Sequence, residues 1–495
     1  MIDNDSVGTA RLERLRVLAQ RAAVLAPDVQ ARTASLAKTA AHAEAFIVKL
    51  PDRPVYVPPG DRNKTLEAMA ISGSPSTLED ALQIVAEHVD GVGHNLGSAE
   101  FLAYVPSGGL YESALADYLA AVSNRYAGVG FASPGNARME QTLIRWLADL
   151  VGYPPQANGD LTSGGSIAAL SAVIAARESH GLKCANVPQA VVYCTTQMHH
   201  TFHKALRIAG LGECIVRDVA TDDSNRMQVA QLAEHVRTDR AAGLQPWLIA
   251  ASAGSTDVGA VDPLEAIADV AEKEALWFHV DAAYGGAFAM CAEGRRRLAG
   301  IERSDSLILD PHKGFFLPCG LGAVLIRDGK QLYDAYHARG SYMQDMANDT
   351  ERSPCDWSPE LTRPLRALRL WLPLKIYGSE PFAAALEEKL LLAEYFYEQL
   401  GATPGIEMGP RPDLSVVTFR LTTASGDAED LNRQLFESIS ADGRIYLNTT
   451  TINGTYTIRV AILGHITHIE SVDKAIDVIK ETAAELLQTD SVGRP

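Results

Sequence analysis

The stretch Ser306-Leu307-Ile308-Leu309-Asp310-Pro311-His312-Lys313-Gly314 carries the reading of the fold. Ser306 to Leu309 reads as a buried strand, and Pro311 cannot continue it as a paired one. Asp310, His312 and Lys313 are therefore delivered at a strand end, where a large sheet opens its site. Around this stretch lie other short apolar or β-branched runs: 191–194, 214–216, 247–250, 276–280 and 323–326. Ala-rich segments of helical length separate them, which predicts βαβ units, a mostly parallel sheet and an α/β fold.

Upstream, 11–42 and 77–92 show helical spacing, interrupted by a loop at Pro51, Pro54, Pro58, Pro59 and Gly60. Downstream, helices are expected over 365–377, 380–400 and 472–487, and strands over 416–421, 444–447 and 455–462. The expected division is a helical segment at 1–105, a large α/β domain at 106–372 and a small α+β domain at 373–495.

The composition is globular: 495 residues, 47% hydrophobic and 21% charged. Lys plus Arg is 44 against 61 for Asp plus Glu, a formal charge of −17. Such a body repels phosphate backbones, so neither nucleic acid nor an anionic membrane surface is an expected partner. An anionic ligand would have to be held by a local device. The six cysteines, at 184, 194, 214, 291, 319 and 355, form no CxxC pair, which argues against a disulfide framework and a zinc knuckle. With no secretory signal and no apolar run of roughly 18 residues, a soluble cytoplasmic protein is expected.

Four segments carry chemistry. Lys313, flanked by Phe315, Phe316 and Leu317, is either a loop lysine or a partly desolvated amine disposed to Schiff-base formation. In Trp277-Phe278-His279-Val280-Asp281-Ala282-Ala283-Tyr284-Gly285-Gly286, Asp281 ends an apolar strand. It either caps the next helix or meets a cationic group, and the small residues after it leave room for a flat ligand. In Leu161-Thr162-Ser163-Gly164-Gly165-Ser166, glycines and hydroxyls run into an Ala-rich helix. That is an ordinary capped start or a phosphate cradle, and it lacks dinucleotide and Walker spacing. Finally, His199 and His203 in His199-His200-Thr201-Phe202-His203-Lys204 are spaced for a metal or, for His199, for stacking on a planar ligand. With no HExxH glutamate and no obvious third ligand, no metal is expected. Together the four segments match the needs of pyridoxal 5'-phosphate (PLP): a phosphate, a flat ring, a pyridinium nitrogen and an aldehyde.

From about Ala99 to Leu487 the chain resembles the group II PLP-dependent amino acid decarboxylases, which include aromatic-L-amino-acid decarboxylases. The likeness runs through Phe101-Leu102-Ala103-Tyr104-Val105-Pro106-Ser107, Ser133-Pro134, Met139-Glu140, Trp146-Leu147, the four segments above, 365–378 and Val417-Thr418-Phe419-Arg420-Leu421. The resemblance implies a fold-type-I, aspartate aminotransferase-like architecture with a seven-stranded, mostly parallel sheet. It implies a homodimer with active sites at the interface, the helical N-terminal segment wrapping the partner, and an amino acid as the small-molecule substrate. It also implies that Lys313 forms the internal aldimine, Asp281 pairs with the ring nitrogen and His199 stacks on the ring. Gly165, Ser166 and His312 lie near the phosphate, and Thr256 and Ala283 line the ring. Tyr104, Val105, Pro106 and Thr362 fall where the family builds its side-chain pocket, which favours an aromatic amino acid decarboxylated to amine and CO2.

Two departures stand out. Aromatic decarboxylases place a loop tyrosine three residues before the tryptophan matching Trp357; here that position is Pro354, and 344–355 holds no tyrosine. Either Tyr342 or His200 supplies the proton at Cα, or the outcome is that of plant relatives lacking this tyrosine, an oxygen-dependent aldehyde synthase. The second departure is Asp310, where many aromatic decarboxylases carry asparagine near the phosphate; an aspartate repels that dianion unless it turns away. Cys319, six residues past Lys313, is expected near the site. An aminotransferase, a zinc hydrolase built on His199, His203 and His279, and a cofactor-free binding protein are the competing classes.

Overall fold

A computed structural model of the chain describes residues 4–69, 71, 73–338, 353–422 and 428–492. Tyr342 and residues 344–352 lie outside them. The chain divides into two compact units, residues 1–95 and 96–495.

In the first unit the helical pattern over 11–42 resolves into two helices, Asn4–Ala22 and Val29–Lys49. Pro27 lies in the break, because proline removes a donor and crowds the preceding turn. Asp28 restarts the chain as a cap, its carboxylate accepting from the Ala31 amide at 2.8 Å. Helix Leu78–His88 is capped in the same way by Thr77. Strand β1 (Tyr56–Val57), inside the proline-rich loop, pairs antiparallel with β2 (Gly93–His94).

The second unit is built on a seven-stranded sheet. Its strands are β3 (Asn158–Thr162), β4 (Ala190–Cys194), β5 (Ile215–Asp218), β6 (Gln245–Ser252), β7 (Trp277–Asp281), β8 (Ser306–Leu309) and β9 (Gly322–Ile326). Their order is β3-β9-β8-β7-β6-β4-β5, with β9 antiparallel to both neighbours and the rest parallel. The five parallel strands and β9 fall on the expected apolar runs; β4, β6, β7, β8 and β9 are buried on both faces, as inner strands of such a sheet must be, while β5 at the edge alternates half-buried and exposed residues. Strand β3 was not expected. Helix Gly165–Ser179 packs through Ala168, Ala169, Ala172, Ala175 and Ala176, all buried, whose small side chains let it lie close to β8 and β9.

A four-stranded antiparallel sheet follows, β10 (Ile406–Met408), β11 (Val416–Leu421), β12 (Asn448–Ile452) and β13 (Thr455–Ala461), in the order β10-β11-β13-β12. Helices Glu380–Gly401, Glu429–Asp442 and Ile469–Val492 accompany it. The strand expected over 444–447 is a correction. Ile445 and Leu447 are buried there, but only Tyr446 pairs, in an isolated bridge with Phe101, and the ladder begins at Asn448. Leu102 thus joins the core of this sheet and donates to the Tyr446 carbonyl, while Phe101 stacks on the Tyr446 ring.

An ionic cluster is sealed into the large sheet's edge. Arg363, with no exposed side-chain surface, meets Glu140 at 2.9 Å, the Asp160 carboxylate, and the Leu161 carbonyl at 2.5 Å. Burial pushes the Glu140 carboxyl up, opposed by the Arg363 guanidinium. Two acids sharing one buried cation are far costlier unpaired than paired. Arg363→Met is expected to destabilise the chain by roughly 3–5 kcal/mol, read as a lowered midpoint in denaturant unfolding with secondary structure retained before the transition.

Candidate active site

Five strand ends converge on one cavity of about 390 Å³. Past β3 the chain makes Ser163-Gly164-Gly165-Ser166, past β4 it reaches His199, past β6 it runs through Gly254, Ser255 and Thr256, β7 ends at Asp281, and β8 gives way to Asp310, His312 and Lys313. Pro311–Gly314 forms a single helical turn with the proline in its first position, where no donor is missed. That turn brings Lys313 back over the end of its own strand.

The side chains meet as follows. Lys313 Nζ lies 3.0 Å from Asp310 Oδ2, and His312 Nε2 is 4.0 Å from the same oxygen. His312 Nδ1 donates to the Leu321 carbonyl at 2.6 Å, which leaves Nε2 as the ring's free-facing atom. His199 ends the approach to helix His200–Ile208 and hydrogen-bonds Thr201 Oγ1 through Nδ1 at 2.6 Å, fixing its ring. Burial lowers its pKa, partly countered by Asp281, so the ring is neutral near neutral pH. Asp281 Oδ1 accepts from the Ala283 amide at 3.1 Å.

Helix Gly165–Ser179 starts at Gly164 with no side-chain cap, so its first-turn amides face the cavity undischarged by any side chain. A Cβ at Gly165 would sit 2.8 Å from Asp310 Oδ2.

Thus Lys313, His199, Asp281, Gly165, Ser166, Thr256, Ala283 and His312 are brought together. Tyr104, Val105, Pro106 and Thr362 do not line this cavity. Thr362 Oγ1 instead lies 3.4 Å from Tyr126 Oη. Cys319 is exposed and hydrogen-bonds Ser107 at 2.8 Å. His279 is buried against Phe202 and hydrogen-bonds Ser306, apart from His199. Among the described residues no group of three His, Cys, Asp or Glu side chains is arranged to hold a metal.

One residue escaped the sequence reading. Arg459 on β13 is 1% exposed and donates to the carbonyls of Asp257 and Tyr104 and to Asn448 Oδ1, while its Nη2 has no partner. Burial lowers its pKa to about 10. A lone arginine within the apolar run 455–463 carries the signal that singled out Asp281.

The model of the pyridoxal-dependent decarboxylase conserved domain matches residues 59–422. The chain belongs to that family. It is a PLP-dependent carboxy-lyase of fold type I. The Bacillus atrophaeus aromatic-L-amino-acid decarboxylase is 33% identical over 86% of this chain and 89% of its own length. The Arabidopsis thaliana phenylacetaldehyde synthase is 31% identical over 87% and 91%. Oryza sativa TDC, crystallised with PLP and tryptamine, superposes with a TM-score of 0.87 at 27% identity, covering 93% of this chain and 99% of that one.

The cavity suits PLP: an amine, a carboxylate, a fixed neutral imidazole and an uncapped helix N-terminus surround one space. Gly322 opens β9 against it, and a Cβ there would meet Gly164 C at 2.6 Å, Thr162 Oγ1 at 2.7 Å and Asp310 Oδ1 at 2.8 Å. Because two of these belong to the strand and loop that form the cradle, Gly322→Ala is expected to cost about 1–3 kcal/mol of stability, measured by denaturant unfolding.

Proposed function

We propose that this family member decarboxylates an L-amino acid with an aromatic side chain, releasing the amine and CO2. The observation that supports this most is the meeting of Lys313, Asp281, His199 and the Gly165 helix start in one cavity. PLP, when bound, supplies the electron sink that makes loss of CO2 feasible. In this reading Lys313 is the point of covalent attachment, and Asp281 holds a proton on the ring nitrogen. His199, kept neutral and fixed by Thr201, lies against the ring. The amides at Gly165 and Ser166, with His312, receive the phosphate, and Thr256 and Ala283 bound the ring.

The aromatic preference is carried from relatives such as the Bacillus atrophaeus enzyme. Arg459, a buried cation whose Nη1 donates to the Tyr104 carbonyl and whose Nη2 has no partner, is a candidate for holding the substrate's carboxylate. Lys313→Ala is expected to abolish both turnover and the visible absorbance of covalently attached cofactor; a normal rate in that variant sinks the assignment.

A second reading has its own support. Pro354 is buried in a 3-10 turn, Pro354–Trp357, closed by a reciprocal Ser353–Asp356 capping box, and Ser353 Oγ accepts from Gly130. A pinned proline has no proton to give, and the chain is 31% identical to a phenylacetaldehyde synthase. In that case the amino acid, oxygen and water give aldehyde, CO2, ammonia and hydrogen peroxide, oxygen being the two-electron oxidant. Tyr342 and His200 are the two candidate proton donors under the first reading; the His200 ring lies 4.2 Å from that of His199. Incubation with a panel of amino acids under air and under nitrogen separates the two. Equal amine in both atmospheres is expected, and oxygen-dependent aldehyde with peroxide selects the second reading.

The working form in this reading is a homodimer with active sites at the interface. Supporting it, helix Tyr111–Ser123 turns Tyr111, Leu115, Tyr118, Leu119 and Val122 outward on one face, each 42–66% exposed. An apolar stripe of this kind on a chain of charge −17 calls for an apolar partner. Leu115→Asp with Leu119→Asp is expected to halve the mass seen by sedimentation and to lower activity; an unchanged mass removes this face as the contact.

A further inference from the structure

Asp310 is the one carboxylate in the cavity set directly beneath the helix N-terminus. Its side chain is 3% exposed and is wedged between two glycines, since a Cβ at Gly165 would lie 2.8 Å from Oδ2 and one at Gly322 would lie 2.8 Å from Oδ1. Neither position could carry a side chain with the carboxylate where it is. Oδ2 pairs with Lys313 Nζ at 3.0 Å, and Oδ1 is buried with no hydrogen-bond partner. The main chain at this position is itself fixed, the Asp310 amide donating to the Ala283 carbonyl at 3.1 Å and the Lys313 amide to the Asp310 carbonyl at 2.8 Å, so the two glycines and Lys313 confine a side chain that starts from a set point. The aspartate therefore does not turn away from the cradle.

Two consequences follow from elementary electrostatics. The positive end of the helix that would receive a phosphate already faces a carboxylate, and two anions a few ångströms apart in a poorly solvated pocket repel. Covalent attachment of a cofactor through Lys313 also converts the amine that now balances Asp310. A carboxylate this deeply buried, with one oxygen already unpartnered, then has its one ion pair altered.

We propose that Asp310 weakens the hold of this site on the phosphate of PLP, so that the chain discriminates less between PLP and unphosphorylated pyridoxal than its cradle alone would allow. This rests on the assignment of the Gly165 cradle to the phosphate. Asp310 is thus a specificity-determining residue for the cofactor's charged end, and its effect is separable from any effect on Lys313. A change acting through the lysine alters the binding of PLP and pyridoxal equally, since both offer the same aldehyde. A change acting on the phosphate alters PLP alone.

The test is titration of the full chain, stripped of cofactor, with PLP and separately with pyridoxal, following imine absorbance and protein fluorescence. The natural chain is compared with Asp310→Asn, which keeps the shape and removes the charge. Asp310→Ala serves in its place if that variant does not fold. The quantity read is the ratio of the pyridoxal Kd to the PLP Kd. A rise in that ratio of at least about tenfold in the variant is expected. A ratio that is unchanged or lower overturns the proposal, including the case in which both ligands tighten together. A natural chain that binds PLP and pyridoxal equally, with the variant equal as well, overturns the cradle assignment and the proposal with it, whereas a preference for PLP in both proteins leaves the cradle standing.

Discussion

The site depends on the register of one antiparallel strand. β9 lies between β3 and β8, with Thr162 opposite Gly322 and Leu309 opposite Ala323. The two outer strands run the same way, so they end within one residue step of each other across β9. The chain past Thr162 becomes the glycine cradle and helix start, and the chain past Leu309 becomes Asp310 to Lys313. Side-by-side placement of a helix N-terminus and a lysine is thus set by backbone pairing rather than by surface residues. A slip of one residue would reverse every side chain of β9. Gly322, where cradle, strand and carboxylate meet, has no room for error.

Net charge and local charge answer to different distances. The −17 of the whole chain acts over a Debye length and governs what approaches. Within the cavity the balance is decided by a few groups: Lys313 and the helix amides on one side, Asp310 and Asp281 on the other. His199 is removed from that balance by burial, which keeps it uncharged. A globally acidic protein can hold an anion because most of its negative charge is screened by distance, leaving the outcome to the few charges inside the cavity.

The parallel strands were legible in the sequence because burial on both faces forces continuous apolar runs, as at Val191–Cys194 and Ser306–Leu309. β3 was not. Asn158-Gly159-Asp160-Leu161-Thr162 has the composition of a turn, and its reasons to be a strand lie far along the chain. Asp160 is paired by Arg363, and Gly159 lies so close to β9 that a Cβ would sit 2.1 Å from the Val324 carbonyl. At 444–447 the alternation of apolar residues was real, and Ile445 and Leu447 are buried. The hairpin register is set instead by the Asn453-Gly454 turn, both residues left-handed, with φ of 51° and 80°. That turn pairs the polar strand Asn448–Ile452 with β13. In the site, Asp281 and Lys313 announced themselves as charged residues at or just past the ends of apolar runs, and His199 by its place in a His-rich segment. Arg459 did the same within β13, but its partners at 104, 257 and 448 are set by tertiary structure alone.

Those partners give the small sheet a part in the site. Tyr104 has φ of 56°, a left-handed conformation rare for a residue of its bulk. It is held there by its neighbours: its amide donates to Asn448 Oδ1 at 2.8 Å and its carbonyl accepts from Arg459 Nη1 at 2.7 Å. Arg459 Nη1 also donates to Asn448 Oδ1, so the three residues close a ring of bonds between the 101–107 segment and strands β12 and β13. Strain of this kind persists only where the surroundings over-determine it. The same guanidinium reaches back to the Asp257 carbonyl, next to Thr256 of the cavity wall. The antiparallel sheet therefore fixes the direction in which Tyr104 leaves the backbone and ties that direction to the rim of the cavity. A change in β12 or β13 can reach the cavity through this ring without touching any group that lines it.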